Sequence, residues 1–364
     1  MNIAFYGSSL LSSYWNGAAT YYRGLLSALA DYGHRITFYE PDAFDRQKHR
    51  DIDPPPWATV CVYPATEQGV RAAISDAALA DVVIKASGVG VFDDALLDGL
   101  LAASRPHALH VFWDVDAPAT IAALRSGAAA RLHSALADLD LVLTYGGGPP
   151  VVAAYRGLGA RICMPIYNAL DPQTHHPVSP NPDFRADLSL LANRLPDREA
   201  RVDEFFFRPA RAWPDRAFVL GGAGWSDKPL PNNVRALGHV PTREHNTFNC
   251  SALAVLNVAR DSMAEVGFSP ATRVFEAAGA GCCIITDSWE GIEQFLEPDT
   301  QVLIARDGKD VGEHLARLTP SLARTIGQRA RSRILAEHTY DRRAAAVDRL
   351  LRETRARKLE SVAA

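Results

Sequence analysis

Apolar and polar residues alternate in blocks along this chain, and the period changes from block to block. Residues 2–7, NIAFYG, form a short apolar run of strand length. After a polar loop, GAATYYRGLLSALADYG places Tyr21, Leu25, Leu26 and Leu29 at helical spacing, and Gly33 stands where a helix-terminating glycine belongs. HRITFYEP is the next strand. DVVIKAS (81–87), HALHVFW (107–113), DLVLTYG (140–146) and ARICMPI (160–166) follow, with alanine- and leucine-rich helical stretches between several of them. Strands that alternate with helices in this way predict a parallel sheet covered on both faces.

The rhythm breaks at NALDPQTHHPVSPNPDFRAD, a polar, proline-rich stretch that cannot continue a sheet or a helix. It restarts with LSLLAN (188–193), AFVLGGAG (217–224), VRALGHV (234–240), ALAVLNV (252–258), CCIITDS (282–288) and QVLIAR (301–306). The pattern therefore predicts an α/β chain of two doubly wound domains, 1–170 and 188–340, joined by a linker over 171–187. A helix over 341–364, able to pack back on the first domain, closes the chain. Two such sheets are expected to face a central cleft and to share a ligand beyond the carboxyl ends of their strands.

Composition narrows the partners. With 364 residues the chain is long for one core and suits two domains of roughly 150–200 residues. It is 48% hydrophobic and 22% charged, and 38 basic against 42 acidic residues leave a net charge of −4, the wrong sign for a nucleic-acid protein. Its five cysteines (Cys61, Cys163, Cys250, Cys282 and Cys283) form no CxxC pair, so neither a zinc site nor a disulfide framework is indicated. MNIAFYGSSLLSSYW has no basic n-region and reads as a first strand, and no run of about 18 apolar residues occurs. The expectation is a cytoplasmic protein with at most peripheral membrane contact through the arginine-rich terminal helix.

Candidate chemistry follows from the loops after the strands. Gly7 is followed by SSLLSSYWN before Gly17, too long a loop for the glycine-rich dinucleotide turn, so a nicotinamide enzyme is disfavoured. Ser12, Ser13, Tyr14, Trp15 and Asn16 offer instead the mixture of hydroxyl, amide and aromatic groups that suits a sugar, while Asn16 also serves as a helix cap. In HVFWDVDAPAT, Asp114 and Asp116 sit where a strand meets the cleft. They are placed to act as a general base, to orient a sugar or to hold a metal, or simply to complement a helix dipole. After the first strand of the second half come Asn193, Arg194, Arg198 and Arg201, of which Arg194 or Arg198 suits a diphosphate through its planar fork. Gly221, Gly222 and Gly224 permit close approach of a ligand or of backbone. In SPATRVFEAAGAG, Ser269 and Thr272 are candidate caps. Arg273 and the free helix N–H groups favour a phosphate there, and Glu276 suits ribose hydroxyls.

SSYWNGAATYYRGLLSALADYGHRITFYEPD, FWDVDAPAT, LNVARDSMAEVGFSPATRVFEAAGAGCCIITDSWEGIEQF and ILAEHTYDRRA together resemble the CgeB-like glycosyltransferases of the GT-B superfamily, related to the retaining group that includes glycogen and sucrose synthases. The resemblance runs from Met1 to about Leu351. It implies two Rossmann-like domains, with the donor mainly on the second and the acceptor mainly on the first, and no essential metal or other cofactor. It makes Glu276 the second glutamate of a Glu-x7-Glu pattern, on the ribose, with Phe268 where the first would stand and Glu265 off register. It puts His239 and Val240 of GHVP near the nucleobase, and Asn16 and Gly17 beside the donor. The expected activity is transfer of a sugar from a nucleoside-diphosphate sugar to a hydroxyl of a saccharide, lipid-linked or small-molecule acceptor. Retention is expected from the wider resemblance, and Asp114 or Asp116 is the base if configuration inverts. A nucleotide-sugar 2-epimerase and a non-catalytic nucleotide-sugar-binding protein are the alternatives.

Overall fold

A computed structural model of the protein describes residues 1–14 and 16–363. The chain divides into two compact units, one formed by Met1–Tyr167 with Tyr340–Ala364 and the other by Asn168–Thr339. The first holds strands β1 (Asn2–Tyr6), β2 (Arg35–Asp42), β3 (Ala58–Pro64), β4 (Val82–Ala86), β5 (Leu109–Asp114), β6 (Leu141–Thr144) and β7 (Cys163–Pro165). They form one parallel sheet in the order β3-β2-β1-β4-β5-β6-β7. The second unit holds β8 (Ala186–Leu191), β9 (Phe218–Gly221), β10 (Val234–Gly238), β11 (Ala252–Asn257), β12 (Ile284–Asp287) and β13 (Leu303–Ala305). These pair in parallel in the order β10-β9-β8-β11-β12-β13. Both sheets are the open α/β type expected from the alternation of strands and helices.

Each sheet is buried on both faces because its strands present apolar side chains to both. On β1, Phe5 stacks on Phe38 of β2 with ring centroids 5.2 Å apart, and its neighbour Tyr6 stacks on Tyr39 at 4.6 Å. Successive residues of a strand point to opposite faces, so these two stacks lie on opposite sides of the sheet. In the second unit Phe206, Phe207 and Phe218 are fully buried with Trp225 in one core, and a single π turn, Asp203–Phe207, places the first two there. Strand β3 has no counterpart among the strands read from sequence. It is the edge strand of its sheet and only Tyr63 of its residues is buried, so its hydrophobic signal is weak.

Three boundaries differ from expectation. The first helix, Ala18–Asp31, begins on Gly17 as N-cap without a side-chain cap bond, in place of the expected Asn16 cap. At its other end Gly33 is left-handed (φ 84°), as a helix-terminating glycine is. The segment 171–187, expected as a linker, lies inside the second unit, where Leu170 forms a bridge with Thr339 and packs where a side chain at Gly279 would stand. The helix Tyr340–Ala363 lies inside the first unit. There Asp348 meets His34 at 2.8 Å, Arg355 meets Asp81 at 2.7 Å and Lys358 meets Asp140 at 2.7 Å, so these basic residues are engaged within the protein. Among the described residues no helix is long and apolar enough to cross a membrane.

The docking of that helix depends on Gly24. A Cβ built there would lie 2.3 Å from the ring of Tyr340, which is itself buried and packed edge-on against Tyr21. Gly24→Ala normally stabilises a helix by about 1 kcal/mol. Here it is expected to destabilise by ~1–3 kcal/mol through overpacking, read as a lowered midpoint in urea unfolding.

Candidate functional site

The strand order of the second sheet reverses between β8 and β11, so the chain leaves these two neighbouring strands in opposite directions. Loops and helices that follow them therefore diverge and leave a crevice, the usual ligand position in such sheets. Helix Pro196–Val202 follows β8 and carries Arg198, and helix Thr272–Gly279 follows β11 and carries Arg273 and Glu276. The two arginines are near enough for each charge to act on the other, which helps burial bring Arg198 down to about 10. Burial likewise lowers Arg273, with Glu276 countering. The Nε of Arg198 and the Nη1 of Arg273 are buried and have no acceptor among the described residues. Neighbouring guanidiniums with N–H groups unspent suit a multivalent anion.

Glu276 lies one turn along from Arg273 and is 8% exposed. Burial by itself would raise its carboxyl, but His175, Arg273 and His245 and a hydrogen bond from Thr272 outweigh it and hold the group below the usual glutamate range. The Nε2 of His175 is 3.8 Å from Glu276 Oε1, and the rings of His175 and His245 stack with centroids 6.4 Å apart. Burial is the main cause that drives His245 down to about 4, and its Nε2 lies 3.1 Å from the Val240 carbonyl. As the neutral ring it donates that bond, leaving Nδ1 as an acceptor. Neither histidine was singled out by sequence. His175 stands in the proline-rich stretch read as a linker, and His245 in a short polar helix; no local spacing links them to Glu276.

Other residues proposed for the donor are committed elsewhere. Arg194 is held by Glu199, through two bonds of 2.8 Å, and by Asp227 at 2.9 Å, so it is not the free arginine of the pair. Arg201 likewise binds the buried Asp287 at 2.6 Å. Asn193 is exposed and accepts from Ala223 N at 2.9 Å. At Gly222 (φ 120°) a Cβ would fall 2.1 Å from the Ala192 carbonyl, so this glycine serves contact of backbone with backbone. His239 is exposed, whereas Val240 is buried with Leu191, Val219 and Phe248 and offers its carbonyl. Ser269 does not cap the helix: its hydroxyl donates to Gly267 O at 2.9 Å, and Ala271 is the N-cap. Phe268 is buried in left-handed backbone (φ 48°) with its N–H on Glu290 O at 2.6 Å, while Glu265 is exposed.

In the first unit the corresponding loops are knit internally. Asp114 is fully buried and accepts from Tyr155 Oη (2.5 Å), Ser87 Oγ (2.8 Å), Thr120 Oγ1 (2.9 Å) and Asp116 N (3.1 Å). Burial raises its carboxyl, those bonds oppose it, and its oxygens are spent on tying β4, β5 and two helices together. Asp116 is half-buried at the N-cap of helix Ala117–Ser126. Asn16 accepts from Ser8 Oγ at 2.9 Å and donates to the carbonyls of Ser9 and Ser12, so it fastens the long loop to itself, next to the exposed N-cap Gly17. Ser12 and Ser13 bond to His49 O and Asp51, and Tyr14 packs on His49; Trp15 lies outside the described residues. Glu40, which sequence reading passed over, is wholly buried and accepts from Leu10 N (2.5 Å), Leu11 N (3.3 Å), Ser9 Oγ (3.1 Å) and Gln47 Nε2 (2.6 Å). Among the described residues no group of three or more His, Cys, Asp or Glu is arranged to hold a metal ion.

Comparison with known proteins agrees with this architecture. Residues 198–349 match the model of a family described as glycosyl transferase-like. No curated protein matches the chain by sequence with significance. Among solved structures, sucrose-phosphate synthase from Thermosynechococcus elongatus aligns with a TM-score of 0.72 at 15% identity, over 98% of this chain and 99% of that one. Anabaena HepE, in complex with UDP and glucose, aligns with a TM-score of 0.67 at 14% identity, over 97% and 100%. AviGT4, a glycosyltransferase involved in avilamycin A biosynthesis, aligns with a TM-score of 0.61 at 15% identity, over 98% of each. The fold is GT-B, and the class that fold and matching domain define is a glycosyltransferase enzyme.

The buried imidazole of His245 makes the second unit acid-sensitive. Its unfolded form takes up a proton near 6.5 and its folded form only near about 4, so the unfolded state binds more protons between these values. Stability is therefore complete above about 6.5 and falls as pH drops towards about 4, by ~3 kcal/mol at most. His245→Gln is expected to flatten this slope in denaturant midpoints measured across the window.

Proposed function

We propose that the protein transfers a sugar from a nucleoside-diphosphate sugar to an acceptor hydroxyl, with retention of configuration and without a resident metal. The observation that carries this reading is the pair of buried, unspent guanidinium N–H groups on Arg198 and Arg273, with the Glu276 carboxylate one turn further along. A diphosphate supplies the oxygens those donors lack, and the charge that builds on it as the glycosidic bond breaks is met by fixed cations. Glu276, held ionised chiefly by His175 and Arg273, accepts hydrogen bonds from two vicinal ribose hydroxyls. HepE, which shares the fold, is in complex with UDP and glucose, which makes UDP the first nucleotide to test.

Retention is expected from the wider resemblance, and the state of Asp114 disfavours inversion through that one of the two candidate bases. A base for inversion needs an open carboxylate, and this one already accepts four internal hydrogen bonds. The leaving phosphate itself then receives the acceptor proton on the face that it departs from. The acceptor is a saccharide, a lipid-linked sugar or a small hydroxyl compound, bound mainly by the first unit. The net charge of −4 disfavours a nucleic acid in that role.

Calorimetry with UDP and with inorganic pyrophosphate separates the roles. Arg273→Ala is expected to weaken both by about tenfold to a hundredfold, the value of a hydrogen bond between charged groups. Glu276→Ala is expected to weaken UDP and leave pyrophosphate unchanged. If neither substitution alters UDP affinity, the donor assignment is wrong. Incubation with labelled UDP-sugar and chelator is expected to give slow sugar release, with the anomeric configuration of the released sugar reporting retention. Conversion of the intact donor to its epimer would mark an epimerase, and an unchanged donor an inert binder.

A further inference from the structure

At the other end of the second sheet, where β8, β9, β11 and β12 begin, lies a cavity of about 930 Å³. Its wall includes Cys250, Cys282 and the arginines Arg185, Arg324 and Arg331. Cys250 is the last residue of helix His245–Cys250 and is half-buried, and its S–H donates to the carbonyl oxygen of Ala280 at 3.5 Å. Cys282 follows two residues later, and its N–H returns to Ala277 O at 3.0 Å, closing the end of helix Thr272–Gly279. Both thiols line this wall, near enough for each to act on the acidity of the other. The neighbouring Cys282 is the chief cause that draws Cys250 down to about 7 against the effect of burial, and Cys250 in turn raises Cys282, so Cys250 is the more acidic thiol of the two. Burial raises Cys61 and pushes Cys163 and Cys283 up to about 12.

We infer that Cys250 and Cys282 form a redox-active dithiol, reached through this cavity by an anionic low-molecular-weight disulfide, whose closure to a protein disulfide tunes the donor site at the far end of the same helices. In the first step the Cys250 thiolate attacks one sulfur of the reagent, forms a mixed disulfide and expels one thiolate. In the second, Cys282 loses its proton to solvent, attacks the Cys250 sulfur and expels the other half of the reagent. Two electrons pass from the cysteines to the reagent, which leaves as two thiols. Arginines at the cavity wall suit a reagent that carries carboxylates, and a nucleophile paired with a resolving thiol is the arrangement of redox-sensing cysteines.

The link to the donor site is short. His245 and Cys250 begin and end one helix of six residues. Glu276 immediately precedes Ala277, whose carbonyl holds Cys282. A covalent bond between the sulfurs draws the two helix ends together and shifts His245 against Glu276. This coupling rests on the donor assignment; the disulfide chemistry does not.

The test treats the native protein with oxidised glutathione at neutral pH, alkylates it and maps peptides by mass. A Cys250–Cys282 bridge is expected, with two of the five thiols lost. Cys282→Ser is expected to stall as a glutathione adduct on Cys250, and Cys250→Ser to leave Cys282 unmodified. UDP affinity of the bridged protein is expected to fall by about fivefold or more, to return with dithiothreitol, and to stay constant in Cys250→Ser under oxidant. Faster reaction at the half-buried Cys61, or exhaustive oxidation without a 250–282 bridge, overturns the dithiol. A bridge that leaves UDP affinity unchanged overturns the coupling. If reduced wild-type protein binds no UDP, the donor assignment fails while the peptide map still decides the dithiol.

Discussion

A guanidinium removed from water must recover its lost hydrogen bonds, and in the second unit two of them do not recover all of theirs from the protein. Among the described residues Arg198 and Arg273 keep buried N–H groups without acceptors, and the charge of Arg273 adds to the burden on Arg198. Folding accepts that cost because β8 and β11 are neighbours whose connections run in opposite directions, so the helices that follow them carry both arginines to one crevice. In the proposed reading an anion with several oxygens supplies the missing acceptors.

The contrast with neighbouring charges shows how sharply this constraint acts. Arg194, four residues before Arg198, is neutralised by Glu199 and Asp227, and Lys228 is held by Glu199 and Asp203 at 2.8 and 2.7 Å. Arg201, three residues after Arg198, is neutralised by Asp287. Within eight residues of chain two arginines are neutralised and one is not, decided by which carboxylates the fold brings beside each. In the first unit the same accounting consumes Asp114, Asn16 and Glu40. They satisfy donors of the long loop after β1 and of the β4 and β5 ends, so that a loop rich in serine is stiffened rather than left as a set of free hydroxyls.

The histidines extend the constraint into a third dimension. Glu276 would be driven towards its neutral acid by burial, and the neighbouring His175, with Arg273, keeps it anionic. His175 reaches it from a proline-rich stretch that, by composition, has no reason to be ordered. That stretch is fixed because Leu170 packs against Gly279 and bridges to Thr339, which anchors its start inside the second unit.

Twelve of the thirteen strands, their division into two α/β halves and the helix bearing Arg273 and Glu276 were legible in the residue pattern, because burial on both faces writes long apolar runs into parallel strands. Edge strand β3 was not, since a half-solvated strand writes almost none of that pattern. Sequence also singled out Arg198, Arg273 and Glu276 as residue types suited to a diphosphate and a ribose. It had no means to choose Arg198 over Arg194, to see that Asp114 is spent, or to bring His175 and His245 to Glu276. Those outcomes depend mostly on partners that lie 27, 33 or 101 residues away along the chain, and hydrogen-bond capacity is settled only when such partners meet in space.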